Sequence, residues 1–153
     1  MKSCVINKVT FGELCMKTMV YDKLPKEARE IRETVFVKEQ GFHDEFDELD
    51  AAAKHLVLYD EEMPIATCRF FRRKLSGDYT VGRIAVRKEY RGKNIGTCLL
   101  NAAEEEIRNS GGKRVFLHAQ CSIQAFYRKQ GYSSYGETDL DEDCPHIWMK
   151  KSI

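Results

Sequence analysis

The stretch from Tyr79 to Asn109 constrains this chain more than any other. "YTVGRIAV" is short, apolar and rich in β-formers, and it reads as a strand. After four further residues comes "RGKNIG", which sets Arg91, Gly92, Lys93, Asn94 and Gly96 side by side. "NIGTCLLNAAEEEIRNSGG" then reads as a helix. Ile95, Cys98, Leu99, Ala102 and Ile107 form its apolar stripe, and Gly111 and Gly112 stop it. The mouth of a helix has unpaired amide N–H groups and a partial positive charge. Main-chain amides of residues 92–97 can therefore ring a pyrophosphate. Gly92 and Gly96 would permit close approach, Asn94 tolerates left-handed backbone, and Arg91 and Lys93 add charge. The competing reading is an ordinary surface turn. The patterns G-x-x-x-x-G-K-[ST] and G-x-G-x-x-G do not occur here, which disfavours a triphosphate loop and a dinucleotide fold.

The rest of the chain fits around this unit. "LCMKTMVY" (14–21) reads as a strand and "PKEAREIRETVFVKEQG" as a helix with Ala28, Ile31, Val35 and either Phe36 or Glu39 inward. "FHDEFDELD" (42–50) is an acidic loop. "HLVLYD" and "PIATCRFFRR" form a hairpin, "KRVFLHA" a strand, "SIQAFYRKQGY" a short helix, and "HIWMKK" a last strand. Strands that first form hairpins and then alternate with helices predict an α/β fold around one mixed sheet. At 153 residues the chain is expected to form a single domain over 1–153.

Composition narrows the function classes. Lys and Arg number 25 against 24 Asp and Glu, so the excess of basic charge typical of nucleic-acid readers is missing. No apolar run approaches a membrane span, and "MKSCVINKVTFGE" does not resemble a secretory signal. Cys4, Cys15, Cys68, Cys98, Cys121 and Cys144 are scattered without a C-x-x-C pair, which favours reduced thiols, a cytoplasmic location and no structural metal.

"RIAVRKEYRGKNIGTCLL" followed by "AFYRKQGY" resembles the GCN5-related N-acetyltransferase (GNAT) family, in its small standalone bacterial form. The family's loop pattern is [RQ]-x-x-G-x-[GA]; Arg91, Asn94 and Gly96 take the fixed positions, with Asn94 in place of the usual glycine. "EAREIRETVFVKEQG", the acidic loop, "HLVLYD", "PIATCRF" and "CPHIWMKK" extend the resemblance over most of the chain. It implies a central sheet flanked by helices, with a splayed gap between the strands at 81–86 and 114–119. It implies acetyl-coenzyme A as co-substrate, its pyrophosphate on Arg91, Gly92, Lys93, Asn94, Ile95, Gly96 and Thr97. The pantetheine arm would run along Ile84, Ala85 and Val86. Gln120 stands where many relatives carry an asparagine that contacts that arm. A homodimer is the family-level expectation, and neither nucleic acid nor membrane is an expected partner.

Acetyl transfer to an amine needs a route for the amine proton, donors for an oxyanion, and a hydrogen bond or proton for the leaving thiolate. The resemblance assigns the oxyanion to the backbone N–H of Val86 or its neighbour, and the thiolate to Tyr127. Full proton transfer from an ordinary tyrosine to a thiolate is uphill by roughly 2 kcal/mol, so Tyr127 is better read as a hydrogen-bond donor. Read without the resemblance, Tyr127 is an ordinary helix aromatic. Glu39 is the first candidate base, with His118, His146 and a water chain as alternatives. A covalent Cys121 is disfavoured, because no third group orients the Cys121–His118 pair. The acidic loop reads as solvated, and lacks the calcium-loop pattern. Its functional reading is that the loop, with His43, Asp44, Glu45, Asp47, Glu48 and Asp50, shapes the acceptor pocket and draws in a cationic amine, so that neutralising Asp47 and Glu48 should raise the acceptor KM. The acceptor is an amine of a small molecule or of a protein. The rival function class is a non-catalytic domain that binds coenzyme A or an acyl derivative.

Overall fold

The computed structural model describes residues 2–3, 9–11 and 14–153. Among these residues nine strands form one sheet. The strands are β1 (Lys2–Ser3), β2 (Val9–Phe11), β3 (Leu14–Tyr21), β4 (Lys54–Asp60), β5 (Met63–Arg72), β6 (Tyr79–Val86), β7 (Arg114–Gln120), β8 (Ser133–Asp141) and β9 (Cys144–Ser152). Their order is β1-β3-β4-β5-β6-β7-β9-β8, with β2 paired to β3. Every pairing is antiparallel except β6 with β7. The mixed sheet expected from the sequence is thus present.

Helices cover both faces. α1 (Lys26–Arg32) continues as a π-helical stretch, Glu33–Glu39, and packs Ala28, Ile31, Val35 and Phe36 against Val57, Tyr59 and Ala85. On the other face, α3 (Ile95–Asn109) buries Ile95, Leu99, Leu100, Ala103 and Ile107 in the larger core. Its stripe is rotated slightly from the expected one, because Cys98 and Ala102 are only partly buried. α2 (Leu49–Ala52) is a single turn, and α4 (Gln124–Lys129) supplies Tyr127 to the same core. Covered on both faces, β5 is buried from Ile65 to Phe70, including the polar Thr67 and the charged Arg69. Cys68 is part of this core, and burial pushes its thiol up to about 12.

Two irregularities position the site. β6 and β7 pair only at Tyr79↔Val115 and Thr80↔Phe116. Beyond that point the strands diverge, so one edge of β6 has no strand partner. On its other edge, β6 pairs Ala85 with Thr67 and Gly82 with Arg69. Arg83 and Ile84 therefore oppose Cys68 alone, forming a β-bulge. Arg83 takes φ 51°, a left-handed conformation that costs a non-glycine residue on the order of 1 kcal/mol.

The acidic loop supplies the compensation, and here the expectation of a solvated loop is corrected. Arg83 Nε lies 3.2 Å from Glu45 Oε1, and a terminal nitrogen lies 3.4 Å from Asp47 Oδ2. Glu45 also accepts from Arg32 Nε at 2.8 Å. Asp50 accepts from Arg32 at 2.7 Å and from Arg69 at 2.9 Å. Glu45 and Asp50 are buried with Arg32 and Arg69, so three carboxylates and three guanidiniums lock α1, the loop, β5 and β6 together. His43, Asp44 and Glu48 stay exposed.

Candidate active site

The loop before α3 has the backbone its residues predict. Asn94 caps the helix in the left-handed region, φ 61° and ψ 18°. Gly92 also lies there, at φ 76°. Gly96 lines the groove and also lies close to α4: a Cβ at this position would sit 3.2 Å from the Phe126 ring. Arg91 ties the loop to its surroundings. Its Nε donates to the Val86 carbonyl at 3.0 Å, and a terminal nitrogen donates to Glu39 Oε2 at 2.9 Å.

A groove of about 610 Å³ opens at this loop and runs along the unpaired edge of β6. Ile84, Ala85, Val86, Arg91, Gly92, Asn94, Ile95, Gly96, Thr97, Gln120 and Tyr127 all line it. Lys93 does not: it lies on the neighbouring surface, its Nζ 5.6 Å from the Tyr90 ring centre. Unforeseen walls come from Val35, Phe36 and Gln40 at the end of the first helix, from Phe126 on α4 and from Gln130 just after it. Two polar contacts brace these walls: Gln130 Nε2 donates to Thr97 Oγ1 at 3.1 Å, and Gln120 Nε2 to Gln40 Oε1 at 2.8 Å.

A second, smaller cavity of about 80 Å³ lies across the gap. Phe36, Ile84, Gln120, Ile123 and Tyr127 line both, so the two spaces meet between the diverging strands. Tyr127 stands at this junction. It is 5% exposed, and its hydroxyl has no hydrogen-bond partner among the described residues. Burial raises its pKa well above that of a free tyrosine. A group so placed can give a hydrogen bond to a developing anion and resists losing its proton outright.

The smaller cavity is polar. His118 and His146 line it with Asp44, Glu45, Arg83, Asp141 and Glu142. His118 Nε2 donates to Asp139 Oδ1 at 2.7 Å, and its ring lies 4.8 Å from both His146 and Trp148. That bond holds the Asp139 carboxyl below the usual range. Glu142 accepts the main-chain N–H groups of His43 and Asp44 at 2.8 and 3.1 Å, which lowers its pKa and ties the β8–β9 turn to the acidic loop. Asp44, Asp141 and Glu142 have no cationic side-chain partner among the described residues.

Glu39, expected on the acceptor side, lines neither cavity; Arg91 captures its carboxylate beside the phosphate loop. Asp47 is likewise unavailable as a free anion, being paired with Arg69 and Arg83. Cys121 is half-buried and lines neither space.

Residues 19–153 match the family model of the acetyltransferase (GNAT) domain. The chain belongs to the GNAT acetyltransferase family. The uncharacterized N-acetyltransferase YjcF of Bacillus subtilis is 36% identical over 129 residues, which span 82% of this chain and 91% of that one. A crystal structure from Lactobacillus plantarum superposes with a TM-score of 0.82 at 31% identity, covering 90% of this chain and 97% of that one. An acyl-CoA N-acyltransferase from Pseudomonas aeruginosa superposes with a TM-score of 0.78 at 26% identity, covering 91% and 99%. Asp44 of the acidic loop lines the small cavity; the neighbouring residues that sequence reasoning missed are Asp139, Asp141 and Glu142. Asp139 and Asp141 belong to β8, whose polar composition hides it as a strand.

Proposed function

We propose that this GNAT acetyltransferase moves an acetyl group from acetyl-coenzyme A directly to a primary amine of a small cationic molecule. The observation that carries this reading is Tyr127, a buried residue that lines both cavities and whose hydroxyl has no hydrogen-bond partner among the described residues.

The groove fits coenzyme A in chemistry and shape. The left-handed backbone at Gly92 and Asn94 turns the chain into α3, whose first amides would hold a diphosphate. The free edge of Ile84–Val86 offers main-chain groups to the amides of the pantetheine arm, in the manner of an added strand. Bound there, acetyl-coenzyme A supplies an activated acyl thioester. The chain's own groups do the rest. The main-chain N–H at Val86 serves as oxyanion donor, and Tyr127 donates to the departing sulfur. With its proton held tightly by burial, Tyr127 acts chiefly as a hydrogen-bond donor. Asp44, Asp141 and Glu142 give the small cavity a negative rim that draws in an ammonium.

The test combines an acceptor screen with one variant. Free thiol release from acetyl-coenzyme A is followed over mono-, di- and polyamines, amino acids and neutral amines. Cationic di- or polyamines are expected to give the highest kcat/KM. Tyr127→Phe is expected to lower kcat roughly 10²-fold and to leave acetyl-coenzyme A affinity within about twofold. A Tyr127→Phe enzyme with full kcat would contradict this assignment, and a preference for acidic acceptors would contradict the charge argument.

A further inference from the structure

We propose that His146 Nε2 is the base that takes the acceptor's ammonium proton. This rests on the amine-acetylation reading above and assigns the one role that reading leaves open.

His146 is 6% exposed and lines the small cavity. In the sheet it is flanked by Gln120 on β7 and Asp139 on β8, its direct cross-strand partners. Gln120 belongs to both cavities, so His146 stands one strand from their junction, whereas His118 pairs further along with Trp148. The imidazole is already set for the task. Nδ1 lies 2.8 Å from the Cys144 carbonyl, an atom that only accepts, so Nδ1 carries the hydrogen. The neutral ring then has its lone pair on Nε2, which has no hydrogen-bond partner among the described residues. The cavity around the ring is mixed in charge, with Arg83 and the His118 ring, 4.8 Å away, lining it beside the carboxylates. Asp139 is held beside the ring by His118, and Asp141 and Glu142 share the cavity. Glu39 has no comparable standing, being paired with Arg91 outside this space.

The proton count closes. An alkylammonium loses two protons on becoming an amide: one passes to His146 Nε2 and the other to the departing sulfur. The N–C bond forms as the C–S bond breaks, and His146 returns its proton to solvent.

Two diamine probes test the assignment with wild type and His146→Gln. At about pH 8 both amines of 1,5-diaminopentane are protonated, whereas in 1,2-diaminoethane mutual repulsion leaves one amine largely neutral. Thiol release should fall roughly 10²-fold in the variant with 1,5-diaminopentane and less than about fivefold with 1,2-diaminoethane. Equal losses with both probes, or none, would overturn the base assignment and leave the acetyl-transfer reading standing. A wild-type protein that binds acetyl-coenzyme A but acetylates neither probe would overturn the cationic-amine reading and this assignment with it. Long-range proton–nitrogen NMR of the ligand-free protein gives a readout without turnover. A neutral His146 protonated at Nδ1 is expected, and one protonated at Nε2 would overturn the proposal.

Discussion

Asp50 carries more of this fold than a loop aspartate usually does. Burial alone would raise its pKa, but hydrogen bonds from Arg32 and Arg69 outweigh that and bring it down from 3.8 to about 2. A carboxylate with a depressed folded-state pKa contributes stability that is complete above the unfolded value and lost as pH falls through the folded one. The contribution is about 2 kcal/mol, so stability measured by denaturant should decline between pH 3.8 and about 2 through this group. Asp50→Asn should cost roughly 3 kcal/mol at neutral pH, because two buried guanidiniums lose an anion. It should also flatten the decline below pH 3.8. A variant as stable as wild type in urea melts would show the cluster to be dispensable. None of this was legible in "FHDEFDELD", which has the composition of a solvated loop. The partners Arg32, Arg69 and Arg83 are distant in sequence, and only the sheet brings them to the loop. The partner of Glu39 was hidden for the same reason: its spacing on the helix gives its face, and a residue 52 positions away takes its carboxylate.

Among the elements, the β8–β9 hairpin matters most to the acceptor side and was the least visible. Its strand "SSYGETDLD" is an edge strand with few buried positions, so it carries no alternation to read. Its turn uses Glu142 and Asp143 at φ 47° and 67°, where hairpins prefer Asn-Gly. Strain is retained there because Glu142 binds the amides of His43 and Asp44 and so closes one side of the small cavity. The double substitution Glu142→Asn with Asp143→Gly should therefore raise Tm while raising acceptor KM several-fold, with acetyl-coenzyme A affinity unchanged. An unchanged acceptor KM would show that this tie does not shape the cavity. By contrast, the strand–loop–helix unit around Arg91 was legible almost residue by residue. Gly92 and Asn94 need particular backbone angles, and such needs are written in local sequence.

Across the whole molecule, the gap between β6 and β7 joins the groove at the mouth of α3, proposed to take the pyrophosphate, to a negatively rimmed cavity. Periodicity and the order of strands and helices foretold the mixed sheet, and the resemblance foretold where it would part. The depth of the gap follows from tertiary facts: pairing that ends at Thr80, and a bulge at Arg83 held by buried carboxylates. The most direct measurement is a crystal structure with coenzyme A bound. The pyrophosphate is expected on the main-chain amides of residues 92–97, with the thiol within hydrogen-bond reach of the Tyr127 hydroxyl. A diphosphate seated elsewhere, or a sulfur remote from Tyr127, would contradict this placement.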